Sequence, residues 1–202
     1  MSRIKIAIQG ELGAYSHIAA ERVYKGAEIK TCSTFEETFK QAYNDPDYKI
    51  VIPIENSLAG RVADIHYLFP KYKLQIHGEY FLPVEHNLLG KLDASIDDIK
   101  FVRSHAQAIS QCQNIISKKK FKPIISVDTA GSAKDLAEGT DKSIAAIASD
   151  LSAKMYNLKI LEKNIEDEKG NVTRFLIMGK NIEQPEYENN KKFITSCIFR
   201  VK

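Results

Sequence analysis

Short apolar runs rich in β-branched residues alternate along this chain with stretches of helical period. Residues 4–9, 50–54 and 122–127 have the composition of buried strands and are bounded by turn-forming residues. Residues 107–118 instead repeat their apolar side chains at the three-to-four spacing of one helical face. Because such elements follow one another in alternation, the pattern predicts an α/β fold.

Three predicted strands, which end near residues 54, 103 and 127, each lead into a short polar loop and then into the start of a helix. Loops at the carboxyl ends of strands form the usual ligand site of open α/β sheets, and helix N-termini there offer free backbone N–H groups to anions. The three loops together therefore predict a pocket for a small anion. The candidate contacts that they supply are Asn56, Ser57, Ser104, Thr129 and the backbone at Ala130.

The segment 171–175 places a hydroxyl, a permanent cation and an aromatic ring on the consecutive residues Thr173, Arg174 and Phe175, two residues after Asn171. A surface turn does not require a hydroxyl, a cation and an aromatic ring together, whereas a site that binds an anion and donates a proton to it requires such groups. Arg174 is expected to pair with a carboxylate in fork geometry. Phe175 is expected to pack against the ring side of a cleft or in the core beneath it.

Composition narrows the classes of function. The chain has 202 residues, 44% of them hydrophobic, and a formal net charge of +3, which is too mild to indicate nucleic-acid binding. Cys32, Cys112 and Cys197 are widely spaced and form no CxxC pair, so neither a zinc site nor a disulfide framework is predicted. No apolar stretch reaches membrane-spanning length. We therefore expect a cytoplasmic protein.

His105 allows two interpretations. It follows Ser104 directly and precedes a predicted helix, so it is either a catalytic base or a residue that caps the helix and orients the loop. His86 and the other histidines have no metal-ligand spacing and are interpreted as structural. The pair Gly10 and Gly13 resembles a phosphate-binding loop only superficially, because the lysine and serine or threonine that close such a loop are absent.

Six motifs follow one another along the chain: Gly10-x-x-Gly13-Ala14-Tyr15-Ser16, residues 52–57, Ser104-His105-x-Gln107-Ala108 with Gln111-Cys112, residues 128–133, Tyr156-x-Leu158 and residues 171–175. Together they resemble the prephenate dehydratase catalytic domain over about residues 4–180. Glu11 and Ala106 stand where many members of that family have proline.

The resemblance implies a two-lobed, periplasmic-binding-protein-like (type II) catalytic domain over residues 1–180, with the active site in the cleft between the lobes. Lobe 1 would comprise about residues 1–78 and 160–180, and lobe 2 about residues 79–159. Residues 181–192 would be a linker. Residues 193–202 would be the first strand of a truncated ACT domain.

The resemblance also implies decarboxylative dehydration of prephenate to phenylpyruvate in L-phenylalanine biosynthesis, by a homo-oligomer (dimer or tetramer) without a metal or an organic cofactor. Thr173 would assist departure of the ring hydroxyl, with Glu55 and Gln111 as supporting residues. Arogenate dehydratase is the alternative within the same chemistry. A non-catalytic two-lobed module that binds a small anion, and a subunit whose partner carries catalysis, are alternatives of other classes.

Overall fold

A computed structural model of the chain describes residues 3–62, residues 65–181 and residue 189. The elements within that part of the chain are, in order, β1 Lys5–Gln9, α1 Tyr15–Val23, β2 Glu28–Cys32, α2 Phe35–Asn44, β3 Tyr48–Asn56, β4 Gly60–Arg61, α3 Leu68–Tyr72, β5 Gln75–Pro83, β6 Asn87–Gly90, a 3-10 helix Ile96–Asp98, β7 Phe101–His105, α4 Ala106–Ser110, α5 Gln113–Lys119, β8 Lys122–Ser126, α6 Thr129–Glu138, β9 Ile144–Ala148, α7 Asp150–Met155, β10 Lys159–Glu162 and β11 Val172–Gly179.

The first sheet has the strand order β2-β1-β3-β11-β5, and β4 pairs with the end of β3. β1 is parallel to β2 and β3, whereas β11 is antiparallel to both of its neighbours, so the sheet is mixed. Both faces are covered, because Ile50 and Ile52 pack with residues of α2 and α3 while Val51 packs with residues of α1. Burial on both faces explains why β3 is almost continuously apolar.

The second sheet has the order β10-β6-β9-β7-β8 and is also mixed. β7 is parallel to β8 and β9, whereas β6 is antiparallel to β9 and β10. Ile109 of α4 and Ile115 of α5 lie in the core on one face, and Leu136 of α6 and Ala153 of α7 lie in the core on the other. Each sheet thus has its own core, which confirms the predicted two-lobed α/β fold.

The chain crosses between the sheets at residues 84–86 and again at residues 163–171. The lobe boundaries predicted near residues 78 and 160 are therefore corrected by a few residues. β5 pairs with β11 as far as Pro83, and β10 pairs with β6 through Glu162. The predicted linker, apart from residues 181 and 189, and the predicted ACT strand lie outside the described residues.

The turn at Gly13 joins the two lobes. Its carbonyl oxygen accepts hydrogen bonds from Ser149 Oγ at 2.6 Å and Ser152 Oγ at 3.0 Å, at the start of α7. Its N–H donates to His17 Nδ1 at 3.0 Å. Gly13 has a φ of +91°, and a Cβ added there would lie 2.7 Å from the Cα of Ser152. Only glycine therefore fits this turn at its present distance from α7.

Acidification should lower the free energy of unfolding. Burial lowers the pKa of His17, against a smaller opposing effect of Glu21, and the ring must stay neutral at Nδ1 to accept from Gly13. Burial also lowers the pKa values of His66, His77 and His86 below the ordinary 6.5. The unfolded chain therefore binds more protons once the pH falls below 6.5.

The contribution of the neutral histidines to the free energy of unfolding is thus fully present above that pH. It is lost as the pH falls from 6.5 towards the pKa values that the histidines have in the folded state. Urea unfolding measured at about pH 8 and about pH 5 checks this, because carboxylates titrate mostly below that window. His17→Gln should show a shallower fall than the wild-type chain. A free energy of unfolding that rises towards pH 5 would contradict the assignment.

Candidate active site

A cavity of about 520 Å³ lies between the two lobes, within the size range of sites for small molecules. The first lobe contributes β3, β4 and β11 to its wall, and the second lobe contributes α4 and the loop that leads into α6. The predicted site residues that line the cavity are Asn56, Gln111, Thr129, Asn171, Thr173 and Phe175.

Thr173 is buried on β11, directly opposite Asn56 of β3 in the register of the two strands. Its Oγ1 accepts a hydrogen bond from Asn56 Nδ2 at 2.9 Å. No group in residues 3–62 or 65–181 accepts the hydrogen of its hydroxyl within hydrogen-bonding distance. The hydroxyl therefore has its proton available for a molecule in the cavity.

Asn56 is held in one orientation by the backbone. Its Oδ1 accepts from the N–H groups of Leu58 at 3.0 Å and Ala59 at 2.9 Å, in the turn between β3 and β4. The amide nitrogen must then face the other way, where it donates to Thr173 and to Asn171 Oδ1 at 2.6 Å. The loop at the end of β3 thus fixes a hydrogen-bond donor against the Thr173 oxygen.

Asn171 connects this group to the second lobe. Its Nδ2 donates to the Oε1 of Gln111 at 3.0 Å, and Gln111 ends α4. The backbone carbonyl of Gln111 accepts from the N–H of Asp167 at 2.7 Å, which ties α4 to the second crossing segment. Polar side chains from both lobes therefore meet at the cavity.

His86 and Tyr15 extend the same group, although the sequence pattern predicted a structural role for His86 and placed Tyr15 only within a motif. The Nε2 of His86 lies 3.0 Å from Gln111 Oε1, and its Nδ1 lies 2.8 Å from the hydroxyl of Tyr15. Burial lowers the pKa of His86, which favours the neutral ring. His86 lies in the first crossing segment, and no local pattern in the sequence shows which residues that segment faces.

Four residues predicted as substrate contacts do not line the cavity. The Oγ of Ser104 is fully buried and donates to the carbonyl of Ile147 at 2.7 Å. The Oγ of Ser57 accepts from the N–H of Val172 at 2.9 Å and so holds the loop that carries Asn56. The four residues are Glu55, Ser57, Ser104 and Ala130.

Arg174 also lies outside the cavity lining. Its Nε and Nη2 both donate to the Oε2 of Glu79, at 2.7 Å and 2.6 Å, and its guanidinium lies over the ring of Phe81. Side chains of consecutive strand residues point to opposite faces, so Arg174 faces away from the side that Thr173 and Phe175 present. The carboxylate paired with this arginine in the structure is Glu79.

The cavity is also lined by residues that were not predicted from the sequence to be substrate contacts. Arg61 is the only lysine or arginine among its lining residues, and it forms no ion pair with the part of the chain that the structure describes. His105 accepts from the N–H of Gln107 at 3.3 Å and caps α4, which confirms the capping interpretation. Asp128 caps α6 through the N–H of Gly131.

The described residues contain no group of three or more histidines, cysteines, aspartates or glutamates placed to hold a metal ion. No helix within the described ranges is both long enough and apolar enough to cross a membrane.

A family model and several curated relatives identify the same protein family. A family model described as prephenate dehydratase matches residues 6–183. Arogenate dehydratase/prephenate dehydratase 2, chloroplastic, of Arabidopsis thaliana is 38% identical over 100% of this chain and 52% of its own. A bifunctional N-acyl-homoserine lactone acylase/prephenate dehydratase of Komagataeibacter europaeus is 37% identical over 97% of this chain and 69% of its own.

Among solved structures, prephenate dehydratase of Arthrobacter aurescens in complex with L-Phe aligns with a TM-score of 0.83 at 25% identity. The alignment covers 92% of this chain and 63% of that one. The chain spans about half the length of most of the curated relatives that it matches.

Proposed function

Because the chain belongs to the prephenate dehydratase family, we propose that it converts prephenate to phenylpyruvate by decarboxylative dehydration. One observation carries the proposal: the Thr173 hydroxyl faces the cavity with its oxygen held by Asn56 and its hydrogen unused by the described residues. An absorbance assay for phenylpyruvate, with prephenate and the purified chain, tests it. No product above the uncatalysed rate would refute it.

The proposed step breaks two bonds of the substrate. The bond between the ring and its carboxylate breaks to release carbon dioxide, and its electron pair enters the ring. The ring becomes aromatic as the electron pair of the C–O bond leaves with the hydroxyl group. A hydrogen bond from Thr173 stabilises that oxygen as it departs as hydroxide, whereas full transfer of the Thr173 proton lets it depart as water and leaves a threonine alkoxide that solvent reprotonates. Such assistance contributes about 10²–10⁴ in rate.

Threonine is a very weak acid, so its oxygen needs support as charge develops on it. The amide of Asn56 supplies that support, because its Nδ2 is already directed at Oγ1 and cannot rotate without losing two backbone hydrogen bonds. A donor fixed in advance stabilises developing charge without reorganisation. The arrangement favours a strong hydrogen bond from Thr173 to the leaving oxygen.

The distribution of charge suits a substrate with two carboxylates. Arg61 supplies the one lysine or arginine in the described lining, so one carboxylate can be bound firmly while the other is held loosely. The loosely held group is the one that departs as carbon dioxide, because equal binding of it in the ground and transition states would not speed the reaction. We assign Arg61 to the carboxylate of the side chain.

Arg61→Ala should raise KM roughly 10- to 100-fold and change kcat little, since a charge-assisted hydrogen bond contributes about 1.5–3 kcal/mol. Steady-state kinetics with prephenate measure this. Arg22→Ala is the matched control, because Arg22 lies exposed on α1 and outside the cavity lining. A KM unchanged in Arg61→Ala would show that another group binds the carboxylate.

Arogenate is the alternative substrate, and the names of several relatives support it. It differs from prephenate in carrying an amino group where prephenate has a keto group, so its product is phenylalanine. The carboxylate of Asp128 lines the cavity and is a group that an ammonium would prefer. Side-by-side assays for phenylpyruvate and phenylalanine decide between the substrates, and saturable binding without either product would support a non-catalytic module.

The acylase named for the Komagataeibacter relative is a second candidate activity. Hydrolysis of an amide needs a nucleophile with a base beside it. The group that contacts Thr173 Oγ1 is instead the amide nitrogen of Asn56, which is a hydrogen-bond donor and cannot accept the hydroxyl proton. The geometry therefore favours dehydration, and an N-acyl-homoserine lactone belongs in the assay as a third substrate.

The homo-oligomeric state and the cytoplasmic location stay predictions. Some relatives are named as chloroplastic, which is a statement about those proteins.

A further inference from the structure

Six side chains form one hydrogen-bonded line that begins outside the group expected from the sequence and ends at the hydroxyl of Thr173. No bond in the line is longer than 3.0 Å. The line runs through the residues Tyr15, His86, Gln111, Asn171, Asn56 and Thr173.

The direction of every hydrogen bond in the line follows from Asn56. Its amide is fixed by the two backbone N–H groups at Leu58 and Ala59, so its nitrogen donates to the oxygen of Asn171. The nitrogen of Asn171 is then the donor towards Gln111, which must present its oxygen. An amide turned the other way at any point would place two donors or two acceptors against each other.

His86 supplies the second donor to the Gln111 oxygen, and this sets its tautomer. A neutral ring that donates from Nε2 has no hydrogen on Nδ1, which therefore accepts from the hydroxyl of Tyr15. The backbone of His86 is itself held, because its N–H donates to Glu166 Oε2 at 3.0 Å and its carbonyl accepts from the N–H of Ile165 at 2.8 Å. The ring is therefore a fixed donor.

Tyr15 has a second acceptor at the same distance, the carbonyl oxygen of Glu85 at 2.8 Å. Its single hydroxyl hydrogen goes to one acceptor at a time. With neutral His86 it goes to Nδ1, and with protonated His86 it turns to Glu85 while Nδ1–H donates to the Tyr15 oxygen. In both states the Nε2–H bond to Gln111 is kept.

We propose that His86, backed by Tyr15, is a positioning residue that fixes the Gln111 amide with its oxygen towards the protein and its NH₂ group towards the cavity. Among the described residues no group accepts from Gln111 Nε2, and Gln111 lines the cavity. The array then offers the anionic substrate two donors, this NH₂ group and the Thr173 hydroxyl. The inference rests on the proposed dehydratase function for its kinetic consequences.

Without the donor at His86, the Gln111 oxygen keeps only one of its two hydrogen bonds to the protein, the one from Asn171, and the amide turns its oxygen towards the anionic substrate more readily. Its nitrogen would then oppose the nitrogen of Asn171, which Asn56 holds in place. Both substrate binding and the alignment of Thr173 would suffer, and a misplacement of about 1 Å in such a site costs roughly 100-fold in rate.

Two amide substitutions at His86 separate the two ring nitrogens. In His86→Gln the new NH₂ group occupies the place of Nε2 and can donate to Gln111. In His86→Asn the shorter side chain reaches only the place of Nδ1, beside Tyr15. We expect kcat/KM within roughly tenfold of wild type for His86→Gln and roughly 100-fold lower for His86→Asn. Thermal unfolding of both variants controls for stability.

Equal loss in the two variants would overturn the positioning role, because a merely structural histidine would be replaced badly by either amide. Full activity in both would overturn it as well. Should His86→Asn fail to fold, a direct spectroscopic readout still decides, and it does not depend on activity.

That readout is the long-range ¹⁵N–¹H spectrum of the histidine rings in the labelled wild-type chain. The ring signals that disappear in His86→Gln should have the pattern of the Nε2–H tautomer. The Nδ1–H pattern would overturn the inference, since that ring cannot donate to Gln111. If the wild-type chain transforms neither prephenate nor arogenate, the proposed function fails, and the spectrum still tests the orientation of the array.

Discussion

Thr173→Ala is expected to lower kcat by about 10²–10⁴-fold while KM changes little, because it removes the one group proposed to assist the leaving oxygen. The Asn56 amide would remain in place, since its orientation comes from two backbone N–H groups rather than from Thr173. Turnover of prephenate and of arogenate, each followed by the appearance of its product, measures the effect.

Thr173→Ser is the matched control, because it keeps the hydroxyl and removes only a methyl group. It should retain most of the turnover. If Thr173→Ala turned over both substrates at close to the wild-type rate, Thr173 would not be the donor. If alanine and serine lost turnover equally, the methyl group and its packing would be the cause.

Gly13→Ala is expected to lower the free energy of unfolding substantially. The new Cβ would lie 2.5 Å from Ser152 Oγ and 2.7 Å from Ser152 Cα, so the backbone itself must move. Overpacking of this kind costs about 1–3 kcal/mol, and the left-handed φ adds about 1–2 kcal/mol. Urea unfolding should therefore show a loss of about 2–5 kcal/mol.

Gly26→Ala separates the two contributions. Gly26 also has a positive φ, +75°, but a Cβ there would meet nothing within 4 Å. Gly26→Ala should therefore lower the free energy of unfolding only by the conformational cost of about 1–2 kcal/mol. Equal losses in the two variants would mean that the approach of Gly13 to α7 is not tight in solution.

The sequence predicted the parts of this molecule that depend on local pattern. The alternation of strand and helix patterns predicted the α/β fold, and the loops after β3 and before α6 predicted Asn56 and Thr129, which both line the cavity. Ser104 shows the limit of that reasoning. It follows the same strand-then-loop pattern, but it faces the interior of its lobe and bonds to a neighbouring strand.

The strand geometry of β11 explains why Arg174 lies outside the cavity lining. The two-residue period of a strand places Thr173 and Arg174 on opposite faces, so the two side chains could not both enter one cleft. His86 is a different case. Its role depends on contacts with Tyr15, 71 positions earlier, and Gln111, 25 positions later. Such contacts follow from the packing of two lobes and leave no periodic signal in the chain.

The position of β11 has a consequence for biosynthesis on the ribosome. β11 lies between β3 and β5, yet it is made more than a hundred residues after β3. The second lobe is one continuous segment and can close as soon as β10 has emerged. The amino-terminal lobe cannot complete its sheet until β11 has been made, because β11 occupies the position between β3 and β5. Since units nearer the amino terminus usually fold first during synthesis, we expect the order to be reversed here.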